Sequence, residues 1–293
     1  MQGISYSSSK QCVIALVVAA SLVAATLADN FYNDVDITFG NQNVKILNGG
    51  QDLTLSLDQY TGSGFRTKHQ YLFGRFDMQL KLIPGDSVDT VTTFYLQAQG
   101  DQHDEIDFEF LGSSLNKPYM LSTNIFTQGK GDREQQFHLW FDPTAAFHTY
   151  TIIWNSHRII LFVDNIPIRV FHNYEAYGIQ YPKNQPMWVY ASLWNNSDWA
   201  SQGSRETIDW SKAPFTASYR NLIVNGNIAV ANNPRFTNSA NDNNQTWINL
   251  GLDAAGRKLL RWVQKEYLVY NYCDDYKRFP NGLPKECKKS RFL

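Results

Sequence analysis

Cysteine is scarce in this chain. Only Cys12, Cys273 and Cys287 occur, and none forms a Cys-x-x-Cys pair, so the spacing that builds structural zinc sites is missing. An excess of one charge is missing too. Lys and Arg number 26 against 27 Asp and Glu, with no long block of either sign. That balance argues against nucleic acid or an anionic membrane as a partner. The main apolar run, 13–25, falls short of the ~20 residues a spanning helix needs. No second run of that length follows. There is no internal repeat and no low-complexity tract. Between about 31 and 230 no helix-length apolar stripe occurs, which leaves no crossover helices for a parallel sheet.

The start of the chain reads as an export signal. Lys10, the apolar run and Thr26-Leu27-Ala28 give a basic start, a short apolar core and small residues before a cut. A signal peptide is expected over 1–28, removed after Ala28, leaving a secreted, soluble protein. Cys12 leaves with it. An oxidising compartment then favours a disulfide between Cys273 and Cys287. Two sequons, Asn195-Asn196-Ser197 and Asn244-Gln245-Thr246, offer Asn195 and Asn244 as glycan acceptors.

Aromatics are abundant at 14%, with 18 Phe, 16 Tyr and 8 Trp. They suit strands, and exposed ones suit the flat faces of sugar rings. Leu72, Phe76, Met78, Leu80 and Leu82 alternate with Tyr71, Phe73, Arg75, Asp77, Gln79 and Lys81, the period of a half-buried strand. Stretches 91–98, 150–154, 159–163 and 187–194 read likewise. Turn signals such as Asn48-Gly49-Gly50 and Pro84-Gly85-Asp86 separate them. The expected fold is an all-β sandwich or jelly roll of antiparallel strands. Near Ala231 the texture changes. An Asn-rich linker, 232–244, leads to a helix capped by Asp253, with Leu252, Leu259, Leu260, Val263, Tyr267 and Tyr270 on one face. The expected organisation is 29–230 as the main domain and 231–293 as a C-terminal extension.

Chemistry concentrates in Glu105-Ile106-Asp107-Phe108-Glu109. In a strand, alternate residues share a side, so the three acids face one way while Ile106, Phe108 and Phe110 face the core. Three close carboxylates repel, and at least one should hold its proton near neutral pH. Glycoside cleavage uses such a set, with one carboxylate to attack the anomeric carbon and one protonated acid to release the leaving oxygen. The roles follow as Glu105 nucleophile, Glu109 acid/base and Asp107 helper. Four residues of ideal strand span ~13 Å, whereas a retaining pair needs carboxyls ~5–5.5 Å apart. Retention and inversion both remain open on spacing alone. So do a calcium site drawing on Asp101 and Asp104, and a plain solvated face. His103 reads as a hydrogen-bond partner of the acids. In 186–194, Trp188, Tyr190, Ser192 and Trp194 share one face and Met187, Val189, Ala191 and Leu193 the other, which fits either a sugar-binding sheet or ordinary aromatic core. Asp198-Trp199 then reads as the rim of a cleft.

The run His-Asp-Glu-Ile-Asp-Phe-Glu-Phe-Leu-Gly at 103–112 resembles the signature of plant xyloglucan endotransglucosylase/hydrolases, in glycoside hydrolase family 16. Nearly the whole mature chain shares the likeness. It includes Tyr71-Leu72-Phe73-Gly74, Leu139-Trp140-Phe141-Asp142-Pro143-Thr144, Asp209-Trp210-Ser211-Lys212, Arg261-Trp262-Val263-Gln264-Lys265 and Lys277-Arg278-Phe279-Pro280. The resemblance implies a concave, concanavalin-like β-sandwich jelly roll with a short C-terminal helical extension that lengthens the acceptor side of the cleft. It implies net retention through a sugar ester on Glu105, with Glu109 as acid/base and Asp107 assisting, and no cofactor or metal. It implies substrate contacts at Glu109, at Ser122, Thr123 and Asn124, at Asp132, Arg133 and Glu134, at Asp198, Trp199 and Gly203, and at Arg278. Donor and acceptor would both be xyloglucan chains, with water as the competing acceptor, and the enzyme would work in the cell wall as a monomer.

Three departures from the family pattern stand out. Ser113-Ser114-Leu115 carries no sequon where the family has one after the catalytic strand. The stretch 238–247 lacks the cysteine of a second C-terminal disulfide. Gln97-Ala98-Gln99 and Ser122 replace the family's usual residues near the cleft. The loop 195–210 shows no insertion against the common form, which favours the transferase over the hydrolase. A glycan-binding lectin and a mixed-linkage or β-1,3-glucan hydrolase are the competing readings of the same sandwich.

Overall fold

The computed structural model describes residues 30–115, 117–195, 207–229, 236–238 and 246–289. The proposed signal segment, Asp198, Trp199, Gly203 and Asn244 lie outside them. The first eight strands are β1 (Val35–Phe39), β2 (Val44–Leu47), β3 (Asp52–Leu57), β4 (Ser63–Lys81), β5 (Thr90–Gln97), β6 (Glu105–Leu111), β7 (Met120–Phe126) and β8 (Gln135–His138). They are followed by β9 (His148–Trp154), β10 (Arg158–Val163), β11 (Ile166–His172), β12 (Met187–Asn195), β13 (Phe215–Ala229), β14 (Phe236–Asn238) and β15 (Leu268–Asn271). Two helices are of α type among the described residues. They are α1 (Phe31–Asp34), a single turn, and α2 (Ala254–Glu266).

Every named pairing is antiparallel. The fold is a β-sandwich of jelly-roll type, and β4 belongs to both layers. Its first part, Ser63 to Tyr71, pairs with β12. Its later part, Gly74 to Leu80, pairs with β9. Between them the backbone turns at Phe73, whose φ is 68°, and Gly74, whose φ is 159°. A Cβ on Gly74 would stand 2.8 Å from Gly226 Cα, so the bend needs glycine there. The turn shifts the phase of the strand. Simple alternation from Leu72 to Leu82 holds beyond the bend, where Phe76, Met78 and Leu80 are buried. Before it, Tyr71 is the buried residue and Leu72 only half-buried.

The front layer runs β4–β12–β5–β6–β7–β8–β15. Its inward face supplies Met187, Val189, Ala191 and Leu193 from β12, Phe94 and Leu96 from β5, and Ile106, Phe108 and Phe110 from β6, all at most 1% exposed. Phe108 stacks on Phe94 and meets Tyr150 of the back layer edge-on. Each of these side chains except Ala191 contributes about 1.5–3 kcal/mol by leaving water. That burial fixes the register of β6, because a one-residue slip would send its carboxylates into the core.

The C-terminal extension is less helical than the sequence pattern indicates. Asp253 caps α2 by accepting from the Gly256 amide at 2.7 Å. Leu260 and Val263 are buried, Leu259 is exposed, and α2 packs on β11. The helix stops at Glu266, so Tyr270 is not on its face. It lies in β15, which pairs with β8 through Leu268↔Phe137 and Asn271↔Gln135. The expected linker is also interrupted, since β14 pairs back onto β13. Cys273 and Cys287 are joined in a disulfide.

Candidate active site

The acids sit at the centre of the front layer. β6 lies between β5 and β7, and β12 lies beyond β5. Register brings four strands into three cross-sheet rows on the outward face. Trp188, Gln97, Glu105 and Phe126 form one row. Tyr190, Tyr95, Asp107 and Asn124 form the next. Ser192, Thr93, Glu109 and Ser122 form the third. Directly opposed side chains in such rows have Cβ atoms ~4.5–5.5 Å apart. The three acids are therefore flanked by Gln97, Tyr95 and Thr93 on one side and by Phe126, Asn124 and Ser122 on the other. Tyr95 and Tyr190 stack with centroids 5.1 Å apart, and the Arg66 guanidinium lies 4.5 Å from the Trp188 ring centroid. The alternation in 186–194 is thus realised, with the aliphatic side inward and the aromatic side on the face that carries the acids.

The three carboxyls differ in their surroundings. Glu105 Oε2 accepts from Gln97 Nε2 at 2.5 Å and lies 2.9 Å from His103 Nε2. Asp107 is 2% exposed, and no donor among the described residues reaches either of its oxygens. Burial first, then the charges of Glu105 and Glu109, push its pKa well above the carboxylate range, against a small opposing effect of Arg169. A buried carboxyl without donors is satisfied by holding a proton and turning it toward a neighbouring acceptor, and Glu105 is adjacent. Glu109 is pushed up to about 8, by burial first and then by the Glu105 and Glu134 charges, with the facing Ser122 hydroxyl opposing. The face therefore carries one carboxyl supported by donors and two acids that retain protons, a separation of roles set by environment. Asp104 is turned away to accept from the Gln128 amide. Among the described residues no group of three or more His, Cys, Asp or Glu side chains converges to hold a metal ion.

Residues 31–212 match the family model of glycosyl hydrolases family 16, and 241–287 match that of the xyloglucan endo-transglycosylase (XET) C-terminus. The chain is 55% identical over 286 residues to xyloglucan endotransglucosylase/hydrolase protein 15 of Arabidopsis thaliana, covering 97% of this chain and 99% of that one.

The chain belongs to glycoside hydrolase family 16, among the xyloglucan endotransglucosylase/hydrolases.

A second family member, xyloglucan endotransglucosylase protein 1 of Diospyros kaki, is 54% identical over 294 residues, 100% of both chains. Among solved structures, a lichenase from a mouse hindgut metagenome superposes with a TM-score of 0.55 at 21% identity, over 67% of this chain and 96% of that one. The apo Crh5 transglycosylase gives 0.53 at 25% identity, over 72% and 82%.

The other residues expected from the family resemblance are distributed unevenly. Ser122 and Asn124 stand on the acid-bearing face. Thr123 does not. Its side chain is fully buried on the opposite face, where Oγ1 donates to the Gln135 carbonyl and accepts from Arg169, because alternation forbids three successive residues from facing one way. Asp132 and Glu134 are bridged by Arg278, at 2.5 and 2.6 Å. Arg133 is turned inward. Nε pairs with Glu286 at 2.6 Å, and Nη1 donates to the Ile125 and Lys130 carbonyls and Thr127 Oγ1. Nε and Nη1 are thus engaged by protein, and through them the side chain supports the 132–134 segment. Asn195 ends β12 opposite Thr90.

The family resemblance assigns no role to four residues that the structure brings forward. Gln97 and Tyr95 reach the acids only through strand register. Glu286 meets Arg133 across 153 positions. Arg169 is 2% exposed and crosses the sandwich from β11 to donate to the Thr123 carbonyl and hydroxyl, at 2.8 Å each, and to the Arg133 carbonyl at 2.5 Å. Burial brings its pKa down to about 10. A charged residue in the middle of an apolar strand, Ile168-Arg169-Val170, was the available signal.

Proposed function

We propose that this enzyme cuts the β-1,4-glucan backbone of xyloglucan with retention and rejoins the new end to another xyloglucan chain. The observation that carries the reading is the division of labour among the face-sharing acids, with donors on Glu105 and a retained proton on Glu109.

In the first step a Glu105 oxygen bonds to the anomeric carbon. The bond from that carbon to the leaving glucan oxygen breaks, and Glu109 gives that oxygen its proton. Asp107, held protonated by burial, shares its hydrogen with Glu105 and limits repulsion along the face. In the second step a sugar hydroxyl of the acceptor passes its proton to Glu109 and attacks the same carbon. The ester bond breaks and its electron pair returns to Glu105. Two displacements restore the original configuration. Water and sugar compete for one intermediate, so affinity on the acceptor side decides between transfer and hydrolysis.

Two observations support transfer. β15 adds a strand to the front layer beyond β8, and Arg278 ties the tail to the 132–134 turn, so the extension enlarges the face on which an acceptor can lie. The names of the relatives support xyloglucan as the polymer. The mature enzyme acts as a secreted, glycosylated monomer in the cell wall, with the catalytic domain at 29–230 and the extension at 231–293. The signal-like start, the sequons at Asn195 and Asn244, and the disulfide support that placement.

The test is product sizing with xyloglucan and a labelled xyloglucan oligosaccharide. Label should enter long chains. Shortening of the polymer without incorporation would make the enzyme a hydrolase. Glu105→Gln should abolish turnover and leave glycan binding, whereas unchanged turnover would remove Glu105 from its role and favour a lectin-like reading of the face.

A further inference from the structure

Besides the proton of Asp107, two further groups reach Glu105, and both fall on the same oxygen. Gln97 stands directly opposite Glu105 across β5 and β6, and its Nε2 donates to Oε2 at 2.5 Å. His103 Nε2 lies 2.9 Å from that same Oε2. Neither contact reaches Oε1. The other ring nitrogen of His103, Nδ1, is 2.8 Å from the Gly100 carbonyl oxygen, which can only accept. The ring therefore has an acceptor at each nitrogen, and both contacts are satisfied together only when each nitrogen carries a proton. Phe126 packs beside the ring with centroids 5.7 Å apart and helps fix its orientation. Gln97 is flanked on its other side by Trp188, so the amide is held between an indole and the carboxylate.

We propose that Gln97 and His103 are paired positioning residues for Glu105, holding Oε2 so that Oε1 is the atom that bonds to sugar, and stabilising the carboxylate as it is released. The inference rests on Glu105 being the nucleophile. When Oε1 joins the anomeric carbon, Oε2 becomes the carbonyl oxygen of the ester and the two hydrogen bonds weaken, because charge has left the group. When the acceptor displaces Glu105, the Oε1–carbon bond breaks, the electron pair returns and negative charge spreads over both oxygens. Donors on Oε2 then strengthen. They favour the second transition state over the ester, so their net effect is to hasten release of the sugar to its acceptor. Fixing one oxygen also presents the other in a single orientation, which removes a rotational freedom from the attack.

The experiment compares the full enzyme with Gln97→Met, which keeps length and removes the donor, and with His103→Leu and His103→Gln. Turnover is followed with xyloglucan and labelled acceptor. The fraction of enzyme carrying sugar on Glu105 is read by rapid quenching, digestion and mass spectrometry. Gln97→Met should lower kcat about 10-fold, a loss of the size expected for one hydrogen bond to a charged group. It should lower KM in the same direction and raise the sugar-bearing fraction, as slow release of an intermediate requires. His103→Leu should act likewise, and His103→Gln, which restores an N–H donor, should recover most of the loss. A merely structural role would instead leave KM unchanged or higher and the sugar-bearing fraction lower, and that result would overturn the proposal. Gln97→Asn, which keeps the amide but shortens its reach, should behave as Gln97→Met does, and it serves if the Met variant does not fold. If wild-type enzyme carries sugar on Glu105 while Gln97→Met and Gln97→Asn match it in kcat and KM, the positioning role fails and the nucleophile stands. If wild-type enzyme carries sugar on another residue, the nucleophile assignment fails and the inference with it.

Discussion

Replacing Glu109 with Gln removes a group that binds its proton far more tightly in the folded chain than in the unfolded one, and the consequence should be visible in stability as well as in rate. The folded carboxyl is pushed up to about 8 from an ordinary value of 4.5, mainly by burial and by the nearby Glu105 charge. For a carboxyl raised in this way, the native state holds the extra proton between those two values. The associated stability is therefore complete below about pH 4.5 and is lost as pH rises toward about 8. One proton contributes a slope of about 1.4 kcal/mol per pH unit across that window. Coupling to Asp107 and Glu105 spreads the titration, so we expect a total of about 2–4 kcal/mol rather than the full product. Glu109→Gln cannot titrate. Its stability relative to wild type should improve by that amount between pH 5 and pH 8, equivalent to about 4–16 °C in the gap between melting temperatures. The assay is denaturant unfolding of both proteins at several pH values, with melting curves as a check. A gap that is the same at pH 5 and pH 8 would refute the assignment of the tightly held proton to Glu109, and with it the physical basis of its role as acid.

Other substitutions test neighbouring parts of the site. Glu134→Gln removes a charge that raises Glu109, so the alkaline fall of kcat/KM should begin at a lower pH, and a profile unmoved or shifted upward would contradict that electrostatic link. Glu286→Gln breaks an ion pair whose side chains are 13% and 9% exposed. It should cost about 3 kcal/mol, the size seen when one partner of a buried pair is removed, and should raise the KM for acceptor more than that for donor. Arg169→Leu leaves the Thr123 and Arg133 carbonyls without their donor and should destabilise by about 3 kcal/mol or more. A melting temperature within 2 °C of wild type would show that the buried guanidinium is dispensable.

Much of the site was legible because a strand has one simple rule. Alternation placed Glu105, Asp107 and Glu109 on one face and Ile106, Phe108 and Phe110 on the other without any knowledge of the fold, and the same rule sorted Met187 to Trp194. The rule fails where the backbone departs from ideal geometry. At Phe73 and Gly74 a bend carries β4 from one layer to the other and reverses which side chains are buried, so Tyr71 and Leu72 exchange places. It also warns against reading a motif as a block. Ser122, Thr123 and Asn124 are contiguous, yet only the first and third face the acids. Helical periodicity misled at Tyr270 because the apolar pattern of a short amphipathic helix runs smoothly into that of an edge strand. His103 beside Glu105 was legible, but the partners of Arg133 and Arg169, and Gln97 beside Glu105, were out of reach for a different reason. Glu286, Thr123 and Gln97 meet them through tertiary closure or strand register, and neither is written in the local pattern.

The placement of β15 has a consequence for how the enzyme is made. The last strand of the front layer, three strands along from the one that carries the acids, comes from Leu268–Asn271, near the end of the described chain. Until it is in place, β8 presents a row of unpaired backbone donors and acceptors, the kind of open edge that recruits strands from other molecules. A chain still being synthesised, or one clipped after α2, would hold an assembled catalytic face beside an unsealed border. The extension therefore covers the β8 edge with a short four-residue strand as well as giving a platform for an acceptor, and the disulfide and the Arg278 clamp hold the segment that follows it. Loss of the tail should show itself first as self-association, before any loss of the sandwich itself.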